Sequence, residues 1–280
     1  MHTRGYLHDY GQLRVPLLAL AAMALGTQAQ AQFGFALSPM RVELSAAPGS
    51  QRTGTLAIGN ADVEPGRFRT EILDVALDKE AVPQFETNIA SEAEFSCKNW
   101  VTVNPMEADV EGQRQMPVRY TFRVPAAVPP RTYHCALGFT TVPNPKKHDA
   151  PIGIVSLLRL TSTFYITVGN VEPMGEMKRI AIEKIADPGK TSYRAVFNVE
   201  NSGLTNLRGA GTVEIVNDRG EAVQTGEFPP VVILPKRSQR IPLPLSPALK
   251  DGNYILRAHV NLGTGEIQEA EFGFRLPIKD

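Results

Sequence analysis

From about residue 35 onward, apolar and polar residues alternate in short runs separated by Gly, Pro, Asn and Asp, with no sustained apolar repeat of three to four. A period of two marks strands with one face in a core and the other in water. The pattern predicts strands over 37–44, 53–59, 67–76, 100–104, 118–124, 132–142 and 153–168, then over 177–185, 194–200, 211–217, 231–234, 238–243, 252–260 and 268–274. About seven strands per half is the count of a small sandwich, so the expected fold is all-β, with two immunoglobulin-like β-sandwich domains in tandem. Residues 78–96 are polar and include Pro83, and are expected to form a long connection with a helical turn near 90–93. Asn170, Pro173 and Gly175 mark the joint. The expected division is an N-terminal sandwich over 32–168, a linker over 169–175 and a C-terminal sandwich over 176–280, held at a fairly fixed angle because the linker is short.

The alternation fails before residue 32. Arg4 and Arg14 precede the uncharged run VPLLALAAMALG at 15–26, and Ala29, Gln30 and Ala31 follow in the small-any-small pattern that signal peptidase accepts. The apolar run is too short to cross a ~30 Å hydrocarbon core at ~1.5 Å per residue. Residues 1–31 are therefore expected to be a cleaved Sec-type signal peptide, placing a mature chain from Gln32 in the periplasm. Pro16 and the lack of a polar face argue against a buried amphipathic helix there. No later run is long enough to span a bilayer, so no membrane span is expected in the mature protein.

Composition narrows the chemistry. The 29 basic and 29 acidic residues leave no net field to attract nucleic acid. Export permits a disulfide between Cys97 and Cys135, the two cysteines of the chain. Cys97 precedes a middle strand, so an inter-sheet bond of antibody type is not implied, and the residues alone leave pairing open. Neither cysteine has a histidine at ligand spacing, and no metal is expected. There is no GxSxG motif or glycine-rich phosphate loop, and His134, His148 and His259 are scattered along strands and a loop. No catalytic residue and no cofactor is expected, and the chain reads as a protein other than an enzyme. The carboxylate pairs Glu92 with Glu94 and Asp109 with Glu111 lie in polar connections and read as solvated. Tyr133 and Tyr254 each follow a turn at the start of a late strand, the position of a tyrosine corner, and Trp100 reads as core.

The run FALSPMRVELSAAPGSQRTGTLAIGN at 35–60 resembles the opening of periplasmic pilus chaperones of the PapD type. WVTVNP at 100–105, YTFRVP at 120–125 and RTYHCALGF at 131–139 are similar to later strands of that family's first domain. The resemblance implies a chaperone-like protein that binds pilus or other secreted surface-protein subunits by lending them a strand, without ATP, with an outer-membrane assembly pore as a further partner. The donor strand would be 153–168, with Val155 and Leu157 on one face. An ordinary buried central strand is the other reading of the same residues. The family grips a subunit's terminal carboxylate with an Arg and a Lys. Arg41 matches the Arg, Ser162 stands at the Lys position, and Arg159 is a candidate for the second cation. The competing reading of Arg41 is a solvent-facing edge charge. A structural or adhesive surface protein without chaperone activity is the alternative for the whole chain.

Overall fold

The structure, a computed structural model, describes residues 34–143, 157–187 and 190–278. The expected signal peptide and the candidate donor residue Val155 lie outside the described residues.

Residues 34–143 and 157–168 build one sandwich of two sheets. The first has the order β1 (Phe35–Ser38), β3 (Gln51–Asn60), β8 (Gln115–Arg123) and β6 (Val101–Asn104). The second has the order β2 (Arg41–Ala46), β10 (Arg159–Val168), β9 (Arg131–Val142), β4 (Gly66–Leu77) and β5 (Pro83–Glu86), with β7 (Glu107–Val110) paired to β4. Alternate side chains of the facing sheets, including Leu56, Phe122, Leu137, Phe164 and Ile166, fill the core. Cys97 and Cys135 are joined in a disulfide, with Cα atoms 5.3 Å apart, that ties the segment ahead of β6 to β9.

The second sandwich sets β11 (Gly175–Asp187), β12 (Lys190–Asn201) and β17 (Ser238–Pro244) against β15 (Ala222–Glu227), β14 (Ala210–Asn217), β18 (Gly252–Asn261) and β19 (Ile267–Leu276). A short ribbon of β13 (Leu207–Arg208) and β16 (Val232–Ile233) closes one side. Phe197, Ile215, Ile233, Ile241 and Leu256 form its separate core. Each sandwich has its tyrosine corner: Tyr133 Oη donates to the Pro129 carbonyl at 3.0 Å and Tyr254 Oη to the Lys250 carbonyl at 2.7 Å. The Trp100 ring packs on Tyr133 with centroids 4.3 Å apart.

The structure departs from the sequence expectation in several elements. β7 and β15 are strands where none is expected, so Asp109 lies on a strand and not in a polar connection, and among the described residues the strand expected over 153–168 begins only at Arg159. The run 37–44 is two strands, because Pro39 has no N–H for a ladder and the chain changes sheets there. β1 pairs antiparallel with β3, whereas β2 pairs parallel with β10 in the opposite sheet. The 78–96 connection is also more ordered than a polar loop. It opens with a hairpin in which β5 pairs with the end of β4, then makes a 3-10 turn at Ala90–Glu92. The hairpin tip is held by Asp78 Oδ1, which accepts from the N–H of Glu80 and of Val82, both at 2.9 Å.

Candidate functional site

β10 has a complete neighbour on one side and a partial one on the other. Every residue from Arg159 to Val168 pairs with β9, whereas β2 begins only at Arg41, opposite Thr163. The Thr163 N–H donates to the Met40 carbonyl at 3.0 Å on the β2 side, and the Leu158 carbonyl accepts from Thr141 on the β9 side. Backbone groups point alternately to the two sides of a strand, so those of Arg159 and Thr161 face the β2 side, beyond the end of β2. They form an open edge among the described residues. Such an edge is a ready template for a further strand.

Side chains alternate over the two faces of the same strand. Leu160, Phe164, Ile166 and Val168 turn into the sandwich, and Ser162 turns with them, fully buried and donating to the Pro39 carbonyl at 2.9 Å. A lysine at 162 would therefore point into the core. Arg159, Thr161, Thr163 and Tyr165 turn to the opposite face, joined there by Arg41 opposite Thr163 and Glu43 opposite Tyr165. Leu157, two residues ahead of β10, is 62% exposed, a high value for a leucine beside an unpaired edge.

The structure separates the two arginines singled out from sequence. Arg41 is exposed and lies 3.5 Å from Glu43, whereas Arg159 pairs with Glu71 at 3.0 Å and donates to Thr140 at 3.2 Å. They share a face, but four ladder positions at ~3.3 Å each part them. What stands near Arg41 instead comes from the second sandwich. Arg208 of β13 brings Nη2 to 2.7 Å from Glu43, with its guanidinium over the Tyr165 ring at 5.1 Å. Burial pushes the Tyr165 phenol up, with the Arg208 charge pulling the other way.

Further along this face the two sandwiches are locked together. Glu92 was expected to be solvated, but it is buried between His134 Nε2 at 3.1 Å and Arg237 Nη2 at 2.8 Å. Burial raises its pKa, but the bonds from His134 and Arg237 outweigh that and hold it at about 2. Glu80, at the tip of the β4–β5 hairpin, accepts from Arg194 and from Arg240, both at 2.7 Å, and Glu183 faces the same two arginines. Thr132 completes the joint, its N–H donating to the Leu204 carbonyl at 2.8 Å and its hydroxyl meeting that of Thr205 at 2.7 Å. The sequence does not single out Arg208 or Glu80, and Glu92 reads there as solvated. No local motif marks these roles, since Arg208 meets Glu43, Glu80 meets Arg194 and Arg240, and Glu92 meets Arg237 from more than a hundred residues away.

No family model matches the chain, and no curated protein matches it. Solved structures do resemble it. The Pseudomonas aeruginosa CupB2 chaperone is 14% identical, with a TM-score of 0.44 over 84% of this chain and 98% of that one. The E. coli chaperone DraB is 15% identical, with a TM-score of 0.42 over 88% of this chain and 98% of that one. A chain of the CsuC–CsuE chaperone–tip subunit pre-assembly complex from Csu pili of Acinetobacter baumannii is 10% identical, with a TM-score of 0.44 over 85% of this chain and 97% of that one.

Proposed function

We propose that the chain is a periplasmic chaperone-like protein, a divergent relative of the pilus chaperones, that binds secreted pilus or surface-protein subunits by strand addition. The observation that supports this most is the open edge at Arg159 and Thr161, on a strand whose other side chains are anchored in a full core. A client strand laid along that edge gains main-chain hydrogen bonds, and its apolar residues meet Leu157 and, beyond the described residues, Val155. Arg41 stands at the cleft end of the edge, where a client's terminal carboxylate would finish, and Arg159 flanks its far end. In this reading residues 1–31 export the chain and are removed, and the sandwiches 32–168 and 176–280 act as one body through the linker 169–175. Binding energy alone holds the client, with no ATP step. Transfer to an outer-membrane assembly pore is the natural fate of a client so held.

The test is capture from periplasm by the wild type, Arg41→Ala and Leu157→Asp proteins, with identification of what co-purifies. A secreted subunit enriched one-to-one by the wild type and lost from both variants supports the proposal. Enrichment of nothing, or equal retention by all three, overturns it. Self-polymerisation of the chain would instead identify a structural or adhesive surface protein.

A further inference from the structure

The sheet of β1, β3, β8 and β6 holds no acidic residue, although the chain has 29 of them and as many basic ones. Its basic residues are Arg52, Arg119 and Arg123. Arg52 is engaged, its Nε donating to the Ser45 carbonyl at 3.1 Å. Arg119 and Arg123 are exposed and make no ion pair or hydrogen bond among the described residues. Val118, Tyr120 and Phe122 fill the core, so the alternation of β8 turns Arg119, Thr121 and Arg123 to the outer face. In the ladder Thr121 stands between Thr53 of β3 and Thr102 of β6, and the Thr53 and Thr121 hydroxyls lie 3.1 Å apart. A row of hydroxyls thus crosses the sheet with an unpaired guanidinium on either side of it.

We propose that this face binds an acidic polysaccharide, a chain of sugars that carry carboxylates. Charge complementarity sets the sign of the ligand, because cations with no carboxylate beside them attract anions and repel basic partners. Guanidiniums take carboxylates bidentately, and a threonine hydroxyl can both donate to and accept from a sugar hydroxyl. The apolar content of the face sets the ligand's class. No large apolar side chain is exposed on these four strands among the described residues. A protein partner would therefore lack the buried aromatic or aliphatic anchor on which stable interfaces depend. A membrane would find no inserting side chain, and fewer than the roughly four clustered basic residues that hold a protein to anionic lipid. No aromatic ring faces out to stack on an uncharged sugar, so the acidic groups are required. Arg119 and Arg123 are ~13 Å apart along β8, so one sugar ring cannot reach both and the ligand is an oligomer. The face belongs to the sheet opposite the one that carries β10, so it neither uses nor blocks the edge proposed for a client. It stands whether or not the chain is a chaperone.

The probe is a hexamer of mannuronate, with a mannose hexamer of the same linkage as its uncharged counterpart and the mannuronate monomer as its short one. In titrations followed by amide NMR, the charged hexamer should move the signals of Thr53, Thr102, Arg119, Thr121 and Arg123, and the uncharged one should leave them in place. The monomer should bind at least roughly tenfold more weakly than the hexamer, since it engages one guanidinium at a time. Arg119→Gln with Arg123→Gln should weaken binding of the charged hexamer by roughly tenfold or more. Thr121→Val, which keeps the shape and removes the hydroxyl, should weaken it roughly threefold. Arg257→Gln, which removes an exposed arginine of the second sandwich paired with Glu271, should change it by less than about twofold. Added salt should weaken binding, because both arginines are exposed. The same amide spectra report whether each variant is folded. An equal response to the charged and uncharged hexamers, equal affinity for monomer and hexamer, or unchanged binding after loss of both arginines would overturn the inference. So would shifts centred on the second sandwich. Tighter binding of phosphatidylglycerol vesicles through the same two arginines would also overturn it, and would identify a membrane surface as the partner.

Discussion

A buried carboxylate costs several kcal/mol unless its partners hold it in the charged form, and Glu92 shows which side prevails here. Its pKa of about 2 stands against an ordinary 4.5, because His134 and Arg237 bond the carboxylate more strongly than burial disfavours it. A depressed folded-state value means stability present in full above pH ~4.5 and lost progressively as pH falls toward 2, by roughly 3 kcal/mol in all. Urea unfolding followed from pH 7 to pH 2.5 should show that loss, and Glu92→Gln should remove this part of the slope while costing a similar amount at pH 7. A variant as stable as the wild type at pH 7 would mean that the buried bonds contribute nothing net. Asp74 repeats the arrangement within one sandwich. Buried, it still has a lowered pKa, since Lys98 at 2.6 Å, Ser96 and the Ile89 N–H all bond its carboxylate.

At the scale of elements, β10 does two tasks with its two periodicities. One set of side chains serves the core while the backbone groups of Arg159 and Thr161 are unpaired on the β2 side among the described residues, and these can be altered separately. Thr161→Pro removes an N–H that no group among the described residues accepts, so stability should change by less than about 1 kcal/mol, yet capture of a client strand should be lost. Loss of stability comparable to a core truncation would show that the edge is covered. The disulfide is a second separable element. It closes a 38-residue loop, worth about 4 kcal/mol by loop entropy, and fastens the segment that carries Glu92. Cys97→Ser with Cys135→Ser should lose that stability and raise amide exchange through residues 90–97.

Much at this scale was legible in the sequence, because strand alternation is a local property: the tyrosine corners, the Trp100 packing and the turn near residue 90 all follow from a few neighbouring residues. The sheet switch at Pro39 was missed because an alternating pattern continues across it, and only pairing reveals that β1 and β2 have different partners. Arg159 is a candidate from sequence because it lies on the same strand as Ser162. Its distance from Arg41 depends on where β2 enters the ladder, which no pattern within either strand records.

For the whole molecule, the question is what holds two sandwiches as one. The short linker limits their separation, but the specific contacts come from the 78–96 segment and β9, which set Glu80, Glu92 and Thr132 against the second sandwich, and from β2 and β10, where Glu43 and Tyr165 meet Arg208. Exposed ion pairs are worth little singly, but Glu80 serves two arginines at once and Glu92 is buried, so these two carboxylates carry a large share of the cost of separating the sandwiches. Removing both, as Glu80→Ala with Glu92→Gln, should convert one cooperative unfolding transition into two and increase the radius of gyration in small-angle scattering. Each core remains intact in that variant, since neither residue belongs to either cluster of apolar side chains. The open edge of β10 remains as well, being a property of the first sandwich alone. The place where Arg208 reaches Glu43 does not, because it requires the docked arrangement. The variant should thus still bind an extended apolar strand. An unchanged radius of gyration would show that the linker, Thr132 and the contact of Arg208 with Glu43 and Tyr165 suffice to set the angle.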